Sequence, residues 1–180
     1  PAKMTIKSFE GHYPQIHPEA WVDDSAYVSG QATLGAGCSI WPMAVVRADI
    51  NPITIGARTN IQDGAILHVT HGGPFTTAEG LPLVIGEDVI VGHKAVLHAC
   101  TIGNRCLIGM SSTVMDGAIL GDESIIAAAS LVPPGKHLEG GYLYAGSPVK
   151  QVRPLTEKER AFFTYSSHYY AKLAQRTAAS

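Results

Sequence analysis

"VDDSAYVSGQATLGAGCSIWPMAVV", residues 22–46, repeats one pattern every six residues. Val22, Val28, Leu34, Ile40 and Val46 place an aliphatic side chain at each sixth position without a break. A period of six matches neither an α-helix nor a coiled-coil heptad, and helix interiors do not tolerate so many glycines. The rule resumes after a nine-residue step at Ile55, Ile61 and Leu67, and after an interruption at Ile85, Val91 and Leu97. One residue is then dropped before Ile102, Ile108, Val114, Leu120, Ile126 and Val132, making seventeen such positions. Four residues beyond the aliphatic site stands a small or β-branched residue, as at Ala26, Cys38, Ala65, Ala95, Thr101, Cys106, Ser112 and Ser130. Glycine often follows the aliphatic site directly, as at Gly35, Gly56, Gly92 and Gly109. That placement suggests tight turning of the backbone.

The pattern predicts an all-β fold, a parallel β-helix of triangular section in which each hexad supplies one short strand and one corner. Three hexads make a coil, and coils stack at the inter-strand distance of about 4.8 Å. The whole chain, 1–180, reads as a single domain, with the β-helix over about 15–140. "GYLYAGSPVKQVRP" (141–154) reads as a Gly/Pro-rich crossover, the connection extending to 155. A C-terminal α-helix follows over 156–176, opened by Thr156 and Glu159 in capping-box spacing. Its aromatic stripe of Phe162, Tyr165, Tyr169 and Leu173 is expected to pack on the prism or on a neighbouring copy.

Composition narrows the function. The 180 residues carry a net charge of −2, with 46% hydrophobic and 16% charged residues. Such a chain buries a core, and it offers no basic surface for nucleic acid or an anionic membrane. No apolar run reaches the roughly 20 residues that span a bilayer, and no signal-peptide pattern opens the sequence. Cys38, Cys100 and Cys106 form no disulfide framework and are expected as packing residues in a reducing, cytoplasmic setting.

Among the 8 histidines, three stand out. Counting the nine-residue step as one hexad, and 67–85 as a loop inserted at one corner, puts Val46, Leu67 and Leu97 on one face. The residues after them, Arg47, His68 and His98, then form a ladder along one edge. His68 and His98 are separated by about one inter-strand spacing, close enough to share a metal. His93 falls on the preceding face, where Gln62 and Asp63 occupy the coil below. A single prism cannot bring it to the His68/His98 edge, whereas a three-fold ring sets unlike edges against each other. The expectation is a homotrimer with three shared sites, each taking His68 and His98 from one chain and His93 from the next. Three imidazoles and an open position make a catalytic arrangement for zinc or a similar metal. His71 opens the polar excursion 70–82 and is either a proton relay or a solvated loop residue.

With "RADI", "TNIQDGAILH" and "VGHKAVLH" in place, the chain resembles the gamma-class carbonic anhydrase-like family of left-handed β-helix proteins, over roughly 10–155 and the trailing helix. The resemblance implies a homotrimer and a zinc ion, with iron or cobalt as alternatives, held at His68, His93 and His98. It also implies an inter-subunit pair between Arg47 and Asp63, with Asp49 and Gln62 near the metal-bound water. The archetype has a glutamate directly after its Arg-x-Asp, where this chain has Ile50, and a proton-shuttling glutamate where it has His71. The expected activity is therefore that of a lyase, the reversible hydration of carbon dioxide by metal-bound hydroxide, with weak turnover. Gln62 would bond the bound water or bicarbonate, Arg47 and Asp49 would order the pocket wall, His71 would shuttle protons, and Tyr144 would line the pocket. Three other readings stay open: a hexapeptide-repeat acyltransferase, a metal-dependent thioesterase, or a non-catalytic metal- or ligand-binding trimer.

Overall fold

The structure, a computed structural model, describes residues 3–180. It is a left-handed parallel β-solenoid of about eight turns followed by one helix. All seventeen aliphatic positions point into the prism and none is more than 4% exposed. Val28, Val46, Leu67, Leu97, Val114 and Val132 stack in register on a first face. Leu34, Ile55, Ile85, Ile102, Leu120 and Leu138 stack on a second. Val22, Ile40, Ile61, Val91, Ile108 and Ile126 stack on a third. Most strands contain two or three residues, but Tyr27–Leu34 and Val45–Ile55 run through the corner between the first two faces and join them in one sheet.

The corners show how six residues turn. Asp88 and Lys94, then Arg105, Ser111, Gly117, Glu123, Ala129 and Gly135, have positive φ at six-residue intervals. Most of these are not glycine, so the fold accepts left-handed strain of roughly 1–2 kcal/mol at each such corner. The glycines that follow the aliphatic positions do a different job from the one their spacing suggested. Gly56, Gly92 and Gly109 are not among the positive-φ residues. They lie where the next coil passes: a Cβ on Gly109 would sit 2.5 Å from the Ala128 backbone nitrogen, and one on Gly56 would sit 2.5 Å from the Gly86 carbonyl carbon. Space between coils, not backbone freedom, demands glycine there.

Two further expectations change. Thr101 is exposed, and Cys100 takes the small interior slot at 1% exposure, because the hexad from Leu97 to Ile102 is one residue short. All three cysteines are buried packing residues, their thiols pushed by burial up to about 12. The expected crossover is partly strand. Tyr142–Gly146 adds to the third face in parallel with Ile125–Ile126 and pairs antiparallel with Val149–Pro154. At the other end, Ile6–Lys7 and Gln15–Ile16 already pair with Tyr27–Leu34, so the sheet begins before residue 15.

The helix, Glu157–Ala178, starts with the capping box between Thr156 and Glu159. It lies on the third face, with Phe163 fully buried against Ile90 and Leu155. Tyr170 meets Trp41 edge-on at 5.5 Å. Ser167 Oγ donates to Asp88 at 2.8 Å, and Arg58 Nε and Nη2 donate to the same carboxylate at 2.8 and 3.0 Å. The docked surface is therefore Phe163, Ser167, Tyr170 and Ala174. The stripe of Phe162, Tyr165 and Tyr169 faces outward, and these residues remain exposed on the chain. The hydrogen bonds to Asp88 and the fit of Phe163 fix that rotation, which an aromatic-only reading of the helix misses.

Candidate metal centre

The edge between the first and second faces carries the histidine ladder. Leu67 pairs with Leu97 and His68 with His98 in the parallel register, so the two rings project from adjacent coils. His68 Nδ1 stands 3.1 Å from His98 Nε2. Each ring's other nitrogen meets a carboxylate: His68 Nε2 lies 3.0 Å from Asp49 Oδ1, and His98 Nδ1 lies 2.7 Å from Asp116 Oδ1. Arg47 donates to Asp49 from the rung below, and Thr70 donates to the second oxygen of Asp116.

These bonds assign the protons. An ionised carboxylate only accepts, so in neutral rings His68 carries its hydrogen on Nε2 and His98 on Nδ1. The two nitrogens that face each other then both present lone pairs, at 3.1 Å. Such a pair is repulsive unless a proton or a metal cation lies between the two nitrogens. Burial holds His68 below the ordinary imidazole pKa, and the opposing bond to Asp49 does not reverse the shift. The ring is therefore neutral near pH 7 and free to act as a ligand. Burial also acts to raise the Asp49 carboxyl, but bonds from the Ile50 N–H, Arg47 and His68 outweigh it and leave the group below its usual value. Two nitrogens on one tetrahedral zinc, each at about 2.1 Å, stand about 3.4 Å apart. The His68–His98 pair fits that requirement with a small opening. A carboxylate behind each ring is the usual support of a metal-binding histidine.

The remaining candidates lie elsewhere on the chain. His93 projects from the corner that follows Val91 on the third face, and its Nδ1 is 3.0 Å from Asp63 Oδ1. It lines a cleft of about 400 Å³ with Gln62, Met110, Phe162, Ser166 and Tyr170. Among the described residues, no group of three His, Cys, Asp or Glu converges within one chain. Gln62 is buried and donates from Nε2 to Asn60 Oδ1 at 2.9 Å, which turns its Oε1 away from that bond. Within the chain Arg47 engages Asp49 and Asp63 engages His93, so Arg47 and Asp63 occupy different corners. His71 is exposed at the start of its loop, where its carbonyl accepts from Thr76 Oγ1 at 2.8 Å. Tyr144 does not lie on the histidine edge. It fills the interior position of the third face at the C-terminal end of the prism, 3% exposed, and its hydroxyl donates to the Glu139 carbonyl at 2.7 Å.

Sequence reasoning did not single out two neighbours of these histidines. Asp116 stands 18 residues beyond His98, one full coil at the same corner, a spacing that marks it once carboxylates are sought along with histidines. Tyr170 belongs to the docked helix face and shares the His93 cleft; burial and the nearby Asp63 carboxylate push its hydroxyl pKa up.

Comparisons with known proteins bear on the fold and the family. The family model for bacterial transferase hexapeptide (six repeats) matches residues 99–134. The chain is 52% identical over 167 residues to Protein YrdA of Escherichia coli (strain K12), covering 93% of this chain and 90% of that one. It is 38% identical over 166 residues to the mitochondrial gamma carbonic anhydrase 1 of Arabidopsis thaliana, covering 92% of this chain and 60% of that longer relative. Among solved structures, a hexapeptide transferase family protein from Anaplasma phagocytophilum superposes with a TM-score of 0.88 at 35% identity, over 97% of this chain and 98% of the other. Among the described residues, no helix is long and apolar enough to cross a membrane. By its repeat, its register and these relatives, the chain belongs to the gamma carbonic anhydrase-like family of hexapeptide-repeat proteins.

Proposed function

We propose that this protein is a metal-dependent, carbonic anhydrase-like lyase that interconverts carbon dioxide and bicarbonate, acting as a homotrimer in the cytoplasm. One observation carries the reading. Two imidazoles, each bonded to a carboxylate through one nitrogen, turn their other nitrogens toward each other at 3.1 Å, on a chain related to gamma carbonic anhydrases. The third ligand is His93 of the neighbouring copy, because His93 sits at a different corner of its own prism. The ion is zinc, with iron or cobalt as chemically close substitutes. When bound, it supplies Lewis-acid activation of water at neutral pH.

The chain's own residues organise that site. Asp49 orients His68 and is itself held by Arg47, which extends to Asp63 of the neighbouring copy across the boundary. Gln62 offers its Oε1 to a hydrogen of the reacting water or of bicarbonate. His71 exchanges protons with solvent from its exposed position, a task an imidazole performs near neutral pH. With Ile50 and His71 at the family's two glutamate positions, turnover is slower than that of enzymes carrying both acids. Tyr144 takes no part, since its hydroxyl is committed at the end of the prism.

Mixing His68→Ala chains with His93→Ala chains, then reassembling trimers, tests the shared site. Each variant alone binds no stoichiometric zinc, whereas the mixture recovers a fraction of sites and a fraction of hydration measured by stopped flow. A mixture that recovers no zinc sinks the shared geometry. A metal-loaded wild-type trimer that leaves carbon dioxide untouched sinks the activity.

A further inference from the structure

The 70–82 excursion interrupts the repeat two residues after His68, and its base is tied down unusually well. Thr70 and Leu81 exchange backbone bonds at 3.1 and 3.0 Å. Asn51 Nδ2 donates to the Thr70 carbonyl at 3.1 Å and to the Glu79 carbonyl at 2.8 Å. Gly80 is closely packed there: with φ +76°, it would put a Cβ 2.2 Å from the Thr70 carbonyl oxygen. Thr70 is thus 8% exposed and fixed on its backbone side, which leaves its hydroxyl for one purpose. It donates to Asp116, 46 residues along the chain.

Asp116 has a divided task. Its Oδ1 takes the His98 Nδ1 hydrogen at 2.7 Å, and its Oδ2 takes the Thr70 hydroxyl. The carboxylate cannot rotate without losing one of them. Its side chain is 35% exposed, so without Thr70 it is free to turn toward water and release His98. The Asp116 backbone is also fixed, its carbonyl accepting from Gly135 N–H at 2.9 Å.

We propose that Thr70 and Asp116 form a positioning pair that sets the orientation and tautomer of His98 and couples the base of the 70–82 loop to cation binding. The proposal rests on the metal reading above, and the pair acts through His98 without touching the ion. Coupling of this kind is reciprocal: a loop that tightens the site is itself tightened by the ion.

The test uses cobalt(II) as the probe on the full-length protein, by competition titration and visible absorption. Thr70→Val keeps the shape and removes only the donor, so cobalt affinity falls by about 10- to 100-fold, as for other supports behind a metal-binding histidine. Asp116→Asn weakens binding in the same direction, and Thr70→Ser restores it. The absorption bands of bound cobalt shift in Thr70→Val and return in Thr70→Ser, a change that general destabilisation does not produce. Cobalt slows proteolysis within 70–82 in the wild type and does so less in Thr70→Val. Unchanged affinity and bands in Thr70→Val, with binding abolished in His98→Ala, overturn the positioning pair and leave the metal site standing. Equal binding by wild type and His98→Ala removes the metal reading itself, and the proposal with it.

Discussion

Residues 102–138 and residues 46–98 build coils with the same interior and different exteriors. In the first region the aliphatic positions follow every six residues from Ile102 to Leu138, and each strand holds two residues. In the second, an eleven-residue strand runs through a corner from Val45 to Ile55, and a loop leaves the edge after His68. The side-chain network of Arg47, Asp49, His68, His98, Asp116 and Thr70 gathers at the irregular coils and the one above them. The uniform interior holds the prism together, and the departures from uniformity are where the histidine–carboxylate network gathers. Breaks in the repeat let side chains from corner positions reach one another without disturbing the packed axis.

That contrast predicts that damage to the two regions has different consequences. The largest stability loss belongs to the regular interior: Ile108→Ala, at a fully buried site, costs about 2–5 kcal/mol in denaturant unfolding. On the irregular edge, His98→Ala leaves metal-free stability nearly unchanged but removes stabilisation by zinc. For the wild type that stabilisation is about 2.7 kcal/mol at a hundredfold excess over the dissociation constant, read as a shift in thermal midpoint. A His98→Ala protein that zinc still stabilises as much as wild type would break the comparison. Gly109→Ala comes next, at about 1–3 kcal/mol, because its Cβ would press on the Ala128 backbone nitrogen from 2.5 Å.

Acid distinguishes the docked helix from the prism. Burial acts to raise the Asp88 carboxyl, but Arg58 and Ser167 outweigh it and hold the group below its usual pKa. The stability it contributes is therefore complete above the unfolded carboxyl value of about 4 and is lost as pH falls through the lower folded value. Helix-specific proteolysis rises in that acid range before the coils unfold, and Asp88→Asn flattens the dependence. The smallest effect is a gain. Ala129→Gly, at an exposed corner with φ 57°, adds about 0.5–1 kcal/mol by relieving left-handed strain that exceeds the entropy cost of glycine.

The period of six carried much of this architecture from the sequence alone. It determined the seventeen interior positions, the three faces, and the meeting of His68 with His98, because a repeat of fixed length converts chain distance into coil number. It placed His93 on another face for the same reason, and that separation motivates the trimer. Tertiary structure decided what lies outside the repeat. Whether Gly109 serves φ or spacing depends on how closely Ala128 passes above it, which one coil's sequence does not state. Whether Phe162 or Phe163 faces the prism depends on a 79-residue contact between Ser167 and Asp88. The direction of the imidazole lone pairs depends on Asp49 and Asp116, and the hold on Asp116 depends on Thr70, 46 residues away. Burial of apolar side chains obeys a local pattern that can be counted, whereas hydrogen bonds between corners depend on directions and distances that exist only once the coils have stacked.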